Sequence, residues 1–417
     1  MLLNLIRRQA VDVRPLRHPA FRRLWFGQSV SFIGFQLTST AMAAEIYAIT
    51  DSSFWVGMLG PANLIPLMVF GLWGGAVADA VDRRKLLIVG AVVAWAATLG
   101  LLLQAVLELR QVGLLLLLAA LHSAGFAITA PTRGAMVPRL VPLEAVPAAN
   151  TLNFLAGSLG TVLGPLLGGV VLAGGGFALA YGIDAVLFLG GLYAAWRLPP
   201  IPPLGETTRP GMRSVIEGLR FLTKQPVVLM SFVVDIIAMA FALPKALFPE
   251  ITEQRFGGSE IAFGWLNASI ALGSVIGGLA SGWVGRVRRQ GIALTLVIAF
   301  WGLSVAAAGL AHELWLMVAL LACGGAADIV SAVWRQTILQ THAPDEMRGR
   351  MQGVFTVVVA GGPRLGDLRA GTTAVAWGAG PAWVGGGLVC AVLVLIVGLA
   401  VPAFRHYDAG KRTEPPG

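Results

Sequence analysis

Ten charged side chains fall inside stretches that are otherwise apolar: the acids Glu45, Asp184, Asp235, Asp328 and Asp367, and the bases Arg133, Lys245, Arg335, Arg364 and Arg369. A charge at the centre of a bilayer costs about 2.5 to 3.5 kcal/mol on insertion scales, so such groups face water, a partner or a ligand, and they mark routes for protons, ions or substrates. Burial disfavours the charged form of a carboxylate, which lets it take up a proton on one side and release it on the other. Asp235 is the first candidate for that work. It has no base nearby on its own segment, since Lys245 is ten residues on, about 15 Å along a helix axis and on another face. Glu45 is the second candidate and Asp328, with Arg335 two helical turns away, the third. A base on another segment, Arg133 among them, would be the alternative that pairs Asp235. Arg364 and Asp367, three residues apart, read as an ion pair on one helix face. Asp184 lies near the end of its segment, where a charge can reach back to water. His122, Arg133, Lys245 and Arg335 read as polar groups lining a cavity. Five bases against five acids declare no preferred substrate charge.

The elements that must position these groups follow from composition. At 417 residues, 56% hydrophobic and 12% charged, the chain is an all-α polytopic membrane protein rather than a soluble one. The net charge of +9 gathers into no basic patch interleaved with aromatics, which argues against nucleic acid. Cys323 and Cys390 lie in separate apolar runs, so neither a disulfide framework nor a metal site is expected, and no cofactor is implied. Apolar runs near the spanning length begin at about Phe21, Phe54, Leu86, Gly113, Ala148 and Phe177, and again at Val227, Ile261, Gly291, Leu314, Met351 and Pro381. That predicts twelve transmembrane helices in two pseudo-symmetric halves of six. The expected division is an N-tail over 1–20, a first half over 21–197, a linker over 198–226, a second half over 227–402 and a C-tail over 403–417. The linker is Pro-rich and ends in an amphipathic stretch expected to lie on the membrane surface.

Charge asymmetry orients the layout. Of the 30 Lys and Arg, only Arg110 and Arg255 fall on predicted outside loops, whereas the tails, the linker and the inside loops are basic, which places both termini in the cytoplasm and the protein in the inner membrane. The N-terminal arginines precede no short apolar region with a small-residue cleavage site, so the first helix is read as retained.

Two motifs stand out. Between helices 2 and 3 runs GGAVADAVDRRK, Gly74 to Lys85, in which Gly75, Asp79, Asp82 and Arg83 recur 203 residues later as Gly278, Gly282, Gly285 and Arg286. This duplication has lost its acids in the second copy. On helix 5, Gly160, Gly164, Pro165, Gly168 and Gly169 form GxxxGPxxGG. Glycines four apart let a neighbouring helix approach, and an internal proline removes a hydrogen bond and bends the segment.

The first motif resembles the helix 2–3 signature of the Major Facilitator Superfamily, with Ala80 in place of the usual Arg and Asp82 in place of the usual Gly. The second matches that superfamily's antiporter motif in full. YAITDSSFWVGMLG after helix 1, LPKALFPE ending helix 7, WRQTILQTHAPDEMRGRMQGV after helix 10 and GGPRLGDLRAG in helix 11 resemble its enterobactin-exporter-like and macrolide-exporter-like branch. The resemblance implies a fold of two six-helix halves rocking about a central site, a conformational switch at Gly75, Asp79, Arg83 and Arg84, and proton-driven export. Helix 4 carries no clear Arg-bearing family motif; His122 and Arg133 are its polar candidates.

The expected activity is secondary export of an amphipathic small molecule, a drug, macrolide or siderophore, coupled to protons, by a monomer in the lipid bilayer. No GxxxxGK[ST] loop couples ATP. An importer of the same fold is one alternative, and the helix 5 motif argues against it. An integral-membrane lipid-modifying enzyme is another. It would want a DxD or HxxxD cluster at an interface, and Asp79 and Asp82, the nearest approach to one, share their loop with three bases.

Overall fold

The computed structural model describes residues 12–202, 220, 222, 223, 225–342 and 348–408, and of residues 71–80, 135, 282, 285, 340, 342 and 348–357 the backbone alone. Long helices account for nearly all of it: α1 Pro19–Thr50, α2 Leu59–Ala80, α3 Arg83–Val106 and α4 Val112–Leu140. Then comes Val146–Trp196, a run of 51 residues whose backbone leaves the helical range at Gly176 (φ 68°, ψ −168°). Unbroken, it would measure about 77 Å, more than twice a bilayer core. Gly176 makes it two crossings, α5 (146–175) and α6 (177–196), and only glycine adopts that backbone without strain. The dihedrals stay helical through Pro165, so the sharp break lies at Gly176 rather than at the proline.

The later helices are α7 Pro226–Ala242, α8 Glu260–Leu279, α9 Gln290–Leu310, α10 Leu314–His342, α11 Arg348–Trp377 and α12 Ala379–Ala400. Among the described residues twelve crossings result, each starting within a few residues of an apolar run in the sequence. Among the described residues nine helical stretches are long and apolar enough by themselves to cross a membrane. α11 falls short of that measure because Arg364, Asp367 and Arg369 interrupt it.

The chain divides into two compact units, one of residues 1–42 and 65–209, the other of residues 43–64 and 210–417. In the first, α3 packs against α4 and against the α5–α6 pair. Trp95 donates to the Ala185 carbonyl at 3.0 Å, joining α3 to α6. A Cβ at Gly160 would meet the Phe32 ring at 2.5 Å, one at Gly164 would enter the Gln36 side chain and the Ile33 carbonyl, and one at Gly168 would touch Thr40. Three glycines four apart thus lie on three α1 residues four apart, and α5 rides directly on α1. At the head of α3, Asp82 caps the helix by accepting from the Arg84 amide (2.9 Å) and also accepts from the Ile201 amide (3.1 Å). Arg84 donates to the Trp196 carbonyl (2.5 Å), so the loop after α2 is tied to the chain leaving α6.

In the second unit α9 packs on α10 and α12, α8 on α10, and α11 and α12 on α7. Its segment 43–64 holds the short helix Ser53–Gly57, which lies on α11. Gly57 and Gly60 meet the carbonyls of Asp367 and Arg364, and Ser53 donates a short hydrogen bond to Glu250 of the helix Phe248–Phe256. Most of the linker reading, 203–219, lies outside the described residues.

Candidate functional site

One group of buried charges in the second unit centres on a guanidinium. Arg335, 5% exposed on α10, forms an ion pair with Asp235 of α7 (2% exposed) and a longer one, 3.5 Å, with Asp328 one face-repeat back on α10. The Ser331 hydroxyl accepts from the same guanidinium at 3.2 Å. Asp235 is therefore not a carboxylate without a base. Same-segment spacing identified the Asp328 partner, but Asp235's partner comes from a different helix.

Lys245 and Arg364 are the charged neighbours of Asp367. The expected pair of Arg364 with Asp367 does not form within 4 Å among the described residues. Arg364 instead donates to the Ala360 carbonyl at 3.1 Å, one turn back on α11. Arg369 is an end cap: it donates to the carbonyls of Ala240 (3.0 Å) and Phe241 (2.6 Å), two of the groups left unpaired where α7 stops. Glu45 is buried in the same unit at 5% exposure.

The first unit is built differently. Asp184 is fully buried on α6 and does not snorkel. Its Oδ2 accepts from Thr38 of α1 (2.7 Å) and Thr98 of α3 (3.1 Å), and His122 Nε2 of α4 stands 3.9 Å away. Its Oδ1 lies against Gly34, where any Cβ would strike it. Over this cluster the rings of Phe35 and His122 stack at 4.4 Å, and Phe126 stacks on Phe35 at 4.7 Å. Beyond them is a cavity of about 370 Å³, lined among others by Gln28, Phe32, Phe126, Arg133, Asn150 and Asn153. A ligand-sized cavity is commonly 300 Å³ or more.

Gly75 lies on the α2 backbone and Asp79 near its end, with side chains outside the described residues; Arg83 and Arg84 open α3. Of the helix 5 motif, Gly160, Gly164 and Gly168 line the α1 contact already described, and Pro165 and Gly169 are buried on the same helix.

Residues 10–415 match the family described as transmembrane secretion effector, within the Major Facilitator Superfamily. The chain is 31% identical over 402 residues to the enterobactin exporter EntS of Shigella boydii serotype 18, covering 93% of this chain and 94% of that one, and equally over 401 residues to EntS of Escherichia coli O139:H28. The chain belongs to this family. Among solved structures, the nucleoside transporter NupG superposes with TM-score 0.73 at 15% identity over 92% of this chain and 99% of that one. A bacterial homologue of the lysosomal transporter Spinster superposes with TM-score 0.71 at 17% identity, over 97% and 100%. A D-xylose–proton symporter does so with TM-score 0.71 at 13%, over 93% and 99%. These last likenesses show the twelve-helix fold.

For a transporter of this family the sequence reading missed Thr38 and Thr98 as partners of Asp184, and the ring wall of Phe32, Phe35 and Phe126. The signal was present as helical spacing. Gln28, Phe32 and Phe35 fall on one face of α1, Phe126 and Arg133 are two turns apart on α4, and Asn150 and Asn153 are three apart on α5. Apolar rings at that spacing carry no mark that separates a cavity wall from a packed core.

Proposed function

We propose that this transporter exports an amphipathic small molecule in exchange for protons, by alternating access, as a monomer in the cytoplasmic membrane with both termini inside. Full-length similarity to proteins named as enterobactin exporters supports the outward direction and brings a siderophore into the substrate class beside drugs and macrolides. The observation that carries coupling is the Asp235–Arg335 ion pair joining α7 to α10. A proton taken up by Asp235 cancels its charge and leaves Arg335 with Asp328 alone; release of the proton restores the pair. A pair that breaks and re-forms between two helices can bias two conformations of the unit, and Glu45 is the second candidate for the proton. Asp79 is assigned to the conformational switch, where a carboxylate at the end of α2 favours one state by accepting from a helix N-terminus. Asp79→Asn is expected to impair transport and leave binding measurable.

Expression in an efflux-deficient host tests the reading. Accumulation of at least one of fluorescein, ethidium or a macrolide should fall, and an uncoupler should restore it. Raised accumulation would make the protein an importer, and export that survives collapse of the proton gradient would remove protons from the mechanism. A C-terminal reporter should be active inside only.

A further inference from the structure

The charges within the spans balance in number but not in space. In the second unit Asp235 and Asp328 share Arg335, and Asp367 has Lys245 and Arg364 as charged neighbours. In the first, Asp184 is held by hydroxyls, and Arg133 has no hydrogen bond or ion pair among the described residues. Its Nε is buried without a partner. Arg133 lines the 370 Å³ cavity, and it also lines a narrower cleft that shares Gln28, Phe32 and Phe126 with it and runs on to Phe35 and Phe188. No carboxylate and no other base lines either space among the described residues, so the cavity carries one formal charge, and it is positive. A guanidinium is planar, stays charged, and offers a fork that matches a carboxylate. Leaving it unpaired at membrane depth is costly, so an anion entering the cavity recovers most of that cost. Phe32 and Phe126 supply flat apolar faces at the same place, suited to an aromatic ring, and Gln28, Asn150 and Asn153 add neutral donors and acceptors.

We propose that the first unit holds a binding site for an aromatic ligand bearing an acidic group, with Arg133 taking the anion and Phe32 with Phe126 taking the ring. As a statement about the transported substrate this rests on the export reading above; as a binding site it stands alone.

The test is calorimetric titration of the full chain, purified in lipid nanodiscs, with three molecules of nearly equal shape: 2-naphthylacetate, 2-naphthaleneethanol and 2-naphthylethylamine. The acid should bind at least about tenfold more tightly than the alcohol, a margin typical of one charge-assisted contact, and the amine most weakly. Arg133→Gln should bring the acid down to the alcohol's affinity with the alcohol unchanged, and Arg133→Lys should keep a preference for the acid. Phe126→Leu should weaken acid and alcohol alike. Equal affinity for acid and alcohol in the wild type, no binding of the acid, or an acid preference that survives in Arg133→Gln would each overturn the proposal. Should Arg133→Gln fail to fold, the wild-type series and Arg133→Lys still decide. An acid that binds through Arg133 but is never moved in everted vesicles would fail the export reading and leave the site standing.

Discussion

In the second unit one arginine, Arg335, holds two carboxylates, whereas in the first unit Asp184 sits among threonine hydroxyls and Arg133 faces an aromatic cavity with no counter-ion among the described residues. Paired charges can be switched by a proton, because neutralising one member changes what the other holds. An isolated cation can be answered only by something that arrives. On the reading proposed above, the difference would divide the work, with coupling in the second unit and recognition in the first.

The comparison breaks most sharply at Arg335. Arg335→Met leaves Asp235 and Asp328 facing each other with no base, and removing one member of a buried pair costs about 3 to 5 kcal/mol. Denaturant unfolding in detergent should show that loss, and the added change Asp235→Asn should recover part of it. If Arg335→Met and the double variant are equally unstable, the pair is not coupled. On the transport side, Asp235→Asn alone should abolish proton-driven accumulation and retain downhill counterflow. A variant that still pumps uphill with normal proton dependence would move the role to Glu45.

Gly164→Leu reaches the first unit through its packing. A leucine there must push α5 off α1, an overpacking cost of about 1 to 3 kcal/mol, and because Phe32 and Gln36 belong to that contact the cavity wall should shift and export should stop. Full activity at normal expression would show the contact to be dispensable. The smallest effect is expected from Thr38→Val. Thr98 still donates to Asp184, and single hydrogen bonds inside membrane proteins average about 0.6 kcal/mol. A loss as large as that of Arg335→Met would mean that the hydroxyl cluster is as tightly coupled as the ion pair, and the contrast between the units would fall.

The spans were legible because a backbone in hydrocarbon must satisfy itself within one helix, which forces long apolar runs that can be counted. Even the start of α6 at Phe177 could be placed, although the break one residue earlier was not recognised as a single glycine's dihedral. The charges were harder. Spacing along one helix found Arg335 for Asp328, but it missed Arg335 for Asp235 and left Asp184 at a helix end, because those partners sit on neighbouring helices whose rotation about their axes the sequence does not state. It also assigned Arg364 to Asp367, whereas the guanidinium turns back to the Ala360 carbonyl of its own helix, a backbone acceptor that charge spacing does not reveal. The cavity was hidden for the same reason: its rings and amides come from α1, α4 and α5, and only packing puts them on one surface.

The break at Gly176 bears on how the protein is made. Between α5 and α6 there is no polar stretch long enough for the translocation machinery to handle separately, only the break at Gly176 after the last two glycines of α5, Gly174 and Gly175. The two crossings are therefore expected to enter the lipid together, as one hairpin. Gly176→Ala should slow that step, since the turn needs a positive φ that alanine resists, and the nascent chain should linger at the membrane with every segment after α5 waiting to be threaded.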